Sequence, residues 1–366
     1  MRTISRTVAD PVRAPLLATG PVASIYARTG QGAEGELRLR RRGLAASLAQ
    51  QGLDPETLQL ARMQLASLTE EPGVEAFFLA GGRLLASFHL AGADTPEMAV
   101  YAPVPRVLPV LRWFQERPAH LLALVDRAGA DLFSQPAGRQ TPLMRTIHGP
   151  DDEIERNAPG GTAQMRYQHR AEDSWQHNGA HVAEAIADEL DRSGASLLLI
   201  AGDVRAVQFL ERYLPTRVRR QVRITHVPGT RGERRYQQEH VARAVREAVD
   251  AETGRMIAAV AEGLGRAGTA VDGTQATADA LAEGRVSTLL VTDDPGDRRT
   301  LWIGPGAGDL AAQPGPLTAA WPWSFQAPLT DAAIRSALLA DADVRVLTPG
   351  RAGAPAQGIG ALCRFA

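Results

Sequence analysis

Residues 196–227 read SLLLIAGDVRAVQFLERYLPTRVRRQVRITHV. This stretch restricts the fold more than any other in the chain. SLLLI is apolar at nearly every position, so a strand made of it must be covered on both faces, as happens in parallel or partly parallel sheets. VRAVQFLERYL follows with helical spacing and VRITHV with strand character, and Gly202-Asp203 separates the first strand from the helix. Strand, helix, strand predicts an α/β layer with at least partly parallel pairing.

The remaining chain groups around that layer as three blocks, 1–117, 118–230 and 231–366. The first carries the strand-like VASIYA, an arginine-rich ELRLRRRGL and a helix from Pro55 to about Thr69. Its last two runs, VEAFFLA and RLLASFHL, form a hairpin around Gly81-Gly82. After the proline-rich YAPVPRVLPVL, which marks a boundary, a second hairpin pairs HLLALVD with ADLFSQ. An acidic loop and the Gly160-Gly161 break lead into a helix with an inward stripe at Trp175, Gly179, Val182, Ile186 and Leu190. The third block opens with a helix from about Tyr236 to Arg266, with an inward stripe at Val241, Val245, Val249, Met256, Val260 and Leu264. Helix and strand then alternate through ATADALAEG, VSTLLVTDD, TLWIG, DAAIRSALLADA, VRVL and GIGALCRFA. GPGAGDLAAQPGPL reads as a long loop. Its glycines follow a strand, but no amphipathic helix comes after them, so it lacks the second half of a dinucleotide fingerprint.

Composition narrows the function classes. At 44% hydrophobic residues the chain is expected to build ordinary packed cores. No run of about 18 apolar residues is present, and the N-terminal segment has no unbroken apolar core before Gly20-Pro21, so a signal peptide and a membrane span are not expected. A cytoplasmic location without membrane association is the expectation. The single cysteine, Cys363, leaves no internal disulfide framework. All 40 basic residues are arginine. Residues 205–235 hold nine arginines against Glu211 and Glu233, a local charge of +7, which attracts phosphate backbones whatever the net charge of −1. A solvated surface with acidic neighbours is the competing reading.

The chain contains no G-x-S-x-G, Walker loop or C-x-x-C. His169, Asp173, His177 and His181 recur at four-residue spacing, but Asn178 stands where a zinc protease motif carries glutamate, so no metal and no cofactor are expected. The stretch most suggestive of function is PGGTAQMRYQHR. Gly160 and Gly161 permit backbone conformations closed to other residues. Arg166 and Arg170 lie four apart beside a helix start that favours phosphate, and Tyr167 and His169 are suited to stacking on exposed bases.

A hairpin domain, a hairpin with a Gly-Gly loop entering a long helix and an apolar strand, and a domain containing AVDGTQATADALAEGRVSTLLVTDD and closing on GIGALCRFA together resemble one known family. This is the archaeo-eukaryotic class-one peptide release factor and Pelota superfamily, and within it the bacterial branch containing the hibernation factor Balon and its actinobacterial relatives. The resemblance runs from about residue 20 to the C-terminus, most firmly from 118. It implies an α/β, overall α+β, architecture of three domains: an N-terminal α+β domain, a central RNase H-like α/β domain and a C-terminal α/β/α domain.

In release factors the central loop reads Gly-Gly-Gln and enters the peptidyl transferase centre. Here the loop would comprise Gly160, Gly161, Thr162 and Ala163, with Thr162 in the glutamine's place, and Gln164 is the candidate catalytic residue only through a Gly-x-x-Gln pattern. The stop-codon motifs Asn-Ile-Lys-Ser and Tyr-x-Cys-x-x-x-Phe have no equivalent, so decoding is not expected. The resemblance implies the ribosomal A site as partner, with ribosomal RNA met by Arg166, Tyr167, His169, Arg170, Arg217, Arg219, Arg220 and Arg223, and elongation factor Tu or another translational GTPase as assistant. Two readings stay open. The first is a non-catalytic hibernation or stress factor in a vacant A site; the second is a peptidyl-tRNA hydrolase or rescue factor using Gln164. An α/β protein unrelated to translation is the bland third.

Overall fold

A computed structural model describes residues 12–30, 34–126, 128–138, 141–148, 163–231, 234–265, 268–315 and 324–365, with the backbone alone for 163–177 and 234–237. The chain divides into two compact units. One, the central unit, spans Glu116–Ala251; the other, the terminal unit, joins Ser5–Gln115 to Glu252–Ala366.

The central unit is built on five strands, β5 (His120–Asp126), β6 (Gly129–Gln135), β7 (Leu143–His148), β8 (Leu197–Gly202) and β9 (Arg223–His226). They lie in the order β7-β6-β5-β8-β9. β5, β6 and β7 form an antiparallel meander, while β8 runs parallel to β5 and β9 parallel to β8. A 3-2-1-4-5 order with its second strand reversed is the RNase H-like arrangement expected. Strand alternation sends β5 and β8 side chains to two cores. Leu121, Ala123, Leu198 and Ile200 pack with Val182, Ile186 and Leu190 of α5 (Ala163–Ser193) and with Leu210 of α6 (Val204–Tyr213). Leu122, Leu124, Leu197 and Leu199 pack with Ala244, Val245 and Ala248 of the long helix α8 (Arg234–Gly265). Full burial of one such leucine contributes about 2 kcal/mol, and this two-sided cover is why SLLLI lacks alternation.

The β8–α6 connection depends on Gly202. Its φ is +139°, and a Cβ there would meet the Val125 carbonyl oxygen at 1.8 Å. Asp203, whose amide donates to the same oxygen, then caps α6 by accepting from the amides of Arg205 and Ala206.

In the terminal unit, β1 (Val22–Thr29), β2 (Gly73–Ala80), β3 (Arg83–Ala91) and β4 (Met98–Ala102) form an antiparallel sheet in the order β3-β2-β1-β4. Ile25, Phe77 and Leu79 on one face meet Leu48 of α2 (Glu34–Gln50) and Leu58, Ala61 and Leu65 of α3 (Pro55–Ala66). On the other, Tyr26, Phe78, Phe88, Phe114 and Trp113 follow one another edge to face; Trp113 and Phe114 belong to α4 (Leu108–Glu116).

The same unit holds β10 (Ala270–Asp272), β16 (Ile359–Cys363), β11 (Val286–Thr292) and β15 (Asp343–Leu347) in one sheet, in that order, with only β11 and β15 parallel. A smaller sheet orders β13 (Leu310–Ala311), β12 (Thr300–Ile303) and β14 (Phe325–Pro328). The helix after β10 spans Thr274–Ala282 and the helix after β14 spans Leu329–Leu339. Polar links join the unit's two segments: Arg13 pairs with Asp341 at 3.3 Å, Arg106 faces the buried Asp331 at 3.7 Å, Arg112 pairs with Asp293 at 3.0 Å, and the Gln115 amide exchanges two hydrogen bonds with the Val346 backbone, each 2.8 Å.

Two expectations are corrected. GPGAGDLAAQPGPL begins as a tight hairpin between β12 and β13 rather than a long loop. The Asp309 carboxylate accepts from the Gly306 amide at 2.6 Å, and Arg335 donates to the Pro305 carbonyl at 2.7 Å. Leu264, expected inside, is 46% exposed. In the last turn of α8 it is Gly263 that faces β10, so closely that a Cβ would meet the Ala270 Cβ at 2.8 Å, which turns Leu264 outward.

Candidate nucleic-acid interface

The arginines of 205–231 divide into two groups by what their guanidinium groups touch. Arg231 is internal. It binds Asp131 through two hydrogen bonds, 3.0 and 2.9 Å, and Asp126 through two more, 3.0 and 2.9 Å. Asp126 also accepts from the amides of Ala128 and Gly129, so it shapes the β5–β6 turn while holding Arg231. The bonds from Asp131 first, and those from Asp126, push the Arg231 pKa up. The Asp131 carboxyl is held below its usual range, chiefly by the Arg231 bonds and secondarily by Thr146.

Arg217 and Arg223 are also engaged. α7 (Thr216–Gln221) is anchored by Val218, which is 2% exposed. From it Arg217 reaches Asp191 on α5 at 2.6 Å. Arg223 on β9, half-buried, donates to the Ala248 carbonyl of α8 at 3.3 Å.

A second group is exposed and has no acidic partner among the described residues: Arg205 and Arg212 on α6, Arg219 and Arg220 on α7. Arg212 lies over the Phe209 ring, 5.4 Å from its centroid, a contact that holds the guanidinium extended while leaving its donors free. The same helix approaches α5 at Gly179, where a Cβ would meet the Phe209 Cβ at 3.2 Å. Arg205 and Arg212 escaped the sequence-based site although they belong to the counted charge run. For Arg212 the signal was its spacing of one helical turn from Phe209.

Of the loop residues, Ala163 is the first residue of α5, and Gln164, Arg166, Tyr167, His169 and Arg170 follow in its opening turns. Gly160, Gly161 and Thr162 lie outside the described residues, as does the acidic loop at 151–155. Among the described residues no group of three or more histidine, cysteine or carboxylate side chains is arranged to hold a metal, and no helix is long and apolar enough to cross a membrane.

The family model described as bacterial archaeo-eukaryotic release factor family 2 matches residues 119–268, from the start of β5 to just past the end of α8. Two uncharacterized proteins from strains of Mycobacterium tuberculosis, Rv2629 and MT2704, are each 25% identical over 314 residues, covering 80% of this chain and 78% of theirs. Similar solved structures include the archaeal translation termination factor aRF1 (17% identical, 99% of this chain and 98% of that one, TM-score 0.25). Archaeal Pelota, from a ribosome-bound model with ABCE1, is 15% identical over 99% of this chain and 94% of its own, TM-score 0.40. Saccharomyces cerevisiae Dom34, described as interacting with Hbs1, is 11% identical over 80% of both chains, TM-score 0.40. Residues 119–268, which supply the five-stranded sheet and its arginine-bearing helices, are thus the part of the chain similar to the bacterial archaeo-eukaryotic release factors of family 2.

Proposed function

We propose that this protein is a cytoplasmic, ribosome-binding translation factor that occupies a vacant A site as a hibernation or stress factor, its Gly160–Ala163 loop beside the peptidyl transferase centre. In this reading the three parts 1–117, 118–230 and 231–366 act as the release-factor domains, and a translational GTPase such as elongation factor Tu is the delivering partner. The exposed Arg205, Arg212, Arg219 and Arg220 supply phosphate contacts on the central unit.

One observation carries the non-catalytic choice. Thr162 stands after the two glycines, and Gln164 is already the second residue of α5. A residue inside a helical turn advances about 1.5 Å per residue along the axis, against roughly 3.3 Å or more in an extended loop. Such a shift exceeds the tolerance of a contact that must position a water within about 3 Å of the ester.

Single-turnover release of peptide from peptidyl-tRNA on ribosomes and on free large subunits is the test. The expected result is no release above background, unaltered ribosome binding by Gln164→Ala, and weakened binding by Gly161→Val, which restricts the loop backbone. Peptide release that disappears with Gln164→Ala would instead establish the hydrolase reading, which the Gly161-Thr162-Ala163-Gln164 pattern supports.

A further inference from the structure

The first ten residues of α2, 34–43, include none that is buried; burial begins at Ala45 and Leu48. Leu39 is 70% exposed. Gly35 and Gly43 have nothing within 4 Å of where a Cβ would stand. Within this half of the helix only Leu37 and Arg41 are half-buried, and every other side chain is exposed.

It is a poor helix for its own sake. Helices of this length draw most of their stability from tertiary packing, two glycines lower the propensity further, and an exposed leucine gains nothing from water. Two exposed i,i+4 ion pairs, Glu34 with Arg38 and Glu36 with Arg40, add about 0.3 to 0.5 kcal/mol each to the helix. These leave Arg41 and Arg42 without an acidic partner among the described residues. Four arginines within five residues, against two glutamates in the turn before, give this half of the helix a positive charge. Guanidinium groups match phosphate oxygens two at a time.

We propose that residues 34–43 are a second RNA-binding element, separate from the arginines of the central unit, in which Arg38, Arg41 and Arg42 contact the phosphate backbone and Leu39 adds apolar contact with sugar or base. The element rests on the reading of the chain as a ribosome-binding factor, and it gives the terminal unit its own hold on RNA.

The test compares the full chain with the triple variant Arg38→Gln, Arg41→Gln, Arg42→Gln and with the charge-preserving Lys triple. Binding to a labelled RNA hairpin is measured by fluorescence anisotropy across salt concentrations, and binding to ribosomes by cosedimentation. None of the three side chains is buried, and Arg38→Gln gives up only the exposed Glu34 pair, worth about 0.3 to 0.5 kcal/mol, so nearly unchanged circular dichroism is expected. The Gln triple should bind the hairpin about tenfold or more weakly at moderate salt, with a log–log salt slope shallower by roughly 2 to 3; the Lys triple should retain most of the affinity. A Gln triple indistinguishable from the parent in affinity and slope overturns the proposal and leaves an acidic protein surface as the occupant. Equal loss in the Lys triple overturns it too, because charge would then not be the cause. Failure of the parent chain itself to cosediment with ribosomes would sink the proposed function, whereas a parent that pellets alongside an equally good Gln triple sinks this inference alone.

Discussion

Arg231 shows how much the meaning of one side chain depends on residues far away. Nothing in the local sequence separates it from Arg219, yet its partners Asp131 and Asp126 stand 100 and 105 positions earlier. Removing it leaves two carboxylates facing each other with their common cation gone. Arg231→Met should therefore lower the stability of the central unit by about 2 kcal/mol, read as an earlier midpoint in urea at pH 7. Arg231→Lys should recover only part of this, since a single ammonium cannot bridge both carboxylates in forked fashion. Because the folded Asp131 pKa lies below the unfolded value, its share of the stability is full above the unfolded pKa and fades as pH falls through the folded one. The difference between parent and Arg231→Met should accordingly narrow on acidification; a gap that stays constant would mean Asp131 gains nothing from Arg231.

Among elements, those whose identity is written locally were legible. The β2–β3 and β5–β6 hairpins follow from alternation around turn residues, and β8 from its uninterrupted apolar run. The β12–β13 hairpin was hidden because its turn is held by Arg335, 30 positions beyond Pro305. α2 gave no clear pattern in ELRLRRRGL because the covered face of its first half holds only Leu37 and Arg41, both half-buried and one of them charged. The candidate RNA face was readable as charge but not as a surface, since Arg217 and Arg223 find acceptors 26 and 25 positions away. That division can be measured. Arg219→Glu with Arg220→Glu should weaken ribosome cosedimentation severalfold or more while leaving thermal stability within about 0.5 kcal/mol. Arg223→Glu should act mainly on stability, lowering it by roughly 1 to 2 kcal/mol through a lost hydrogen bond and a half-buried carboxylate. If Arg219→Glu with Arg220→Glu pellets as well as the parent, these two positions do not touch RNA.

At the scale of the whole molecule, the terminal unit is assembled from the two ends of the chain, and a buried acid marks where they meet. Asp331 is 5% exposed; burial raises its pKa to about 6, against the partial relief from Arg106. Tyr26, whose hydroxyl donates to the Arg106 carbonyl at 2.5 Å, is fully buried beside them. Between the unfolded carboxyl value of 3.8 and about 6 the folded state binds more protons, so this residue subtracts stability as pH rises through that window. Asp331→Asn should gain on the parent by as much as about 3 kcal/mol between pH 4 and pH 7, seen as diverging melting temperatures. Parallel pH profiles would show that Asp331 ionises as freely folded as unfolded.

The pairing of the two ends also sets a timetable. Arg112 is synthesised 181 residues ahead of Asp293, and Gln115 is synthesised 231 residues ahead of the backbone of Val346. At about 5 to 20 residues per second, the first segment waits roughly 10 to 50 seconds for its counterpart, with α4 and its aromatic neighbours uncovered on that side. The central unit is contiguous and is complete in sequence by Ala251. It has the earlier opportunity to close, so the segment made first is the last to find its final surroundings.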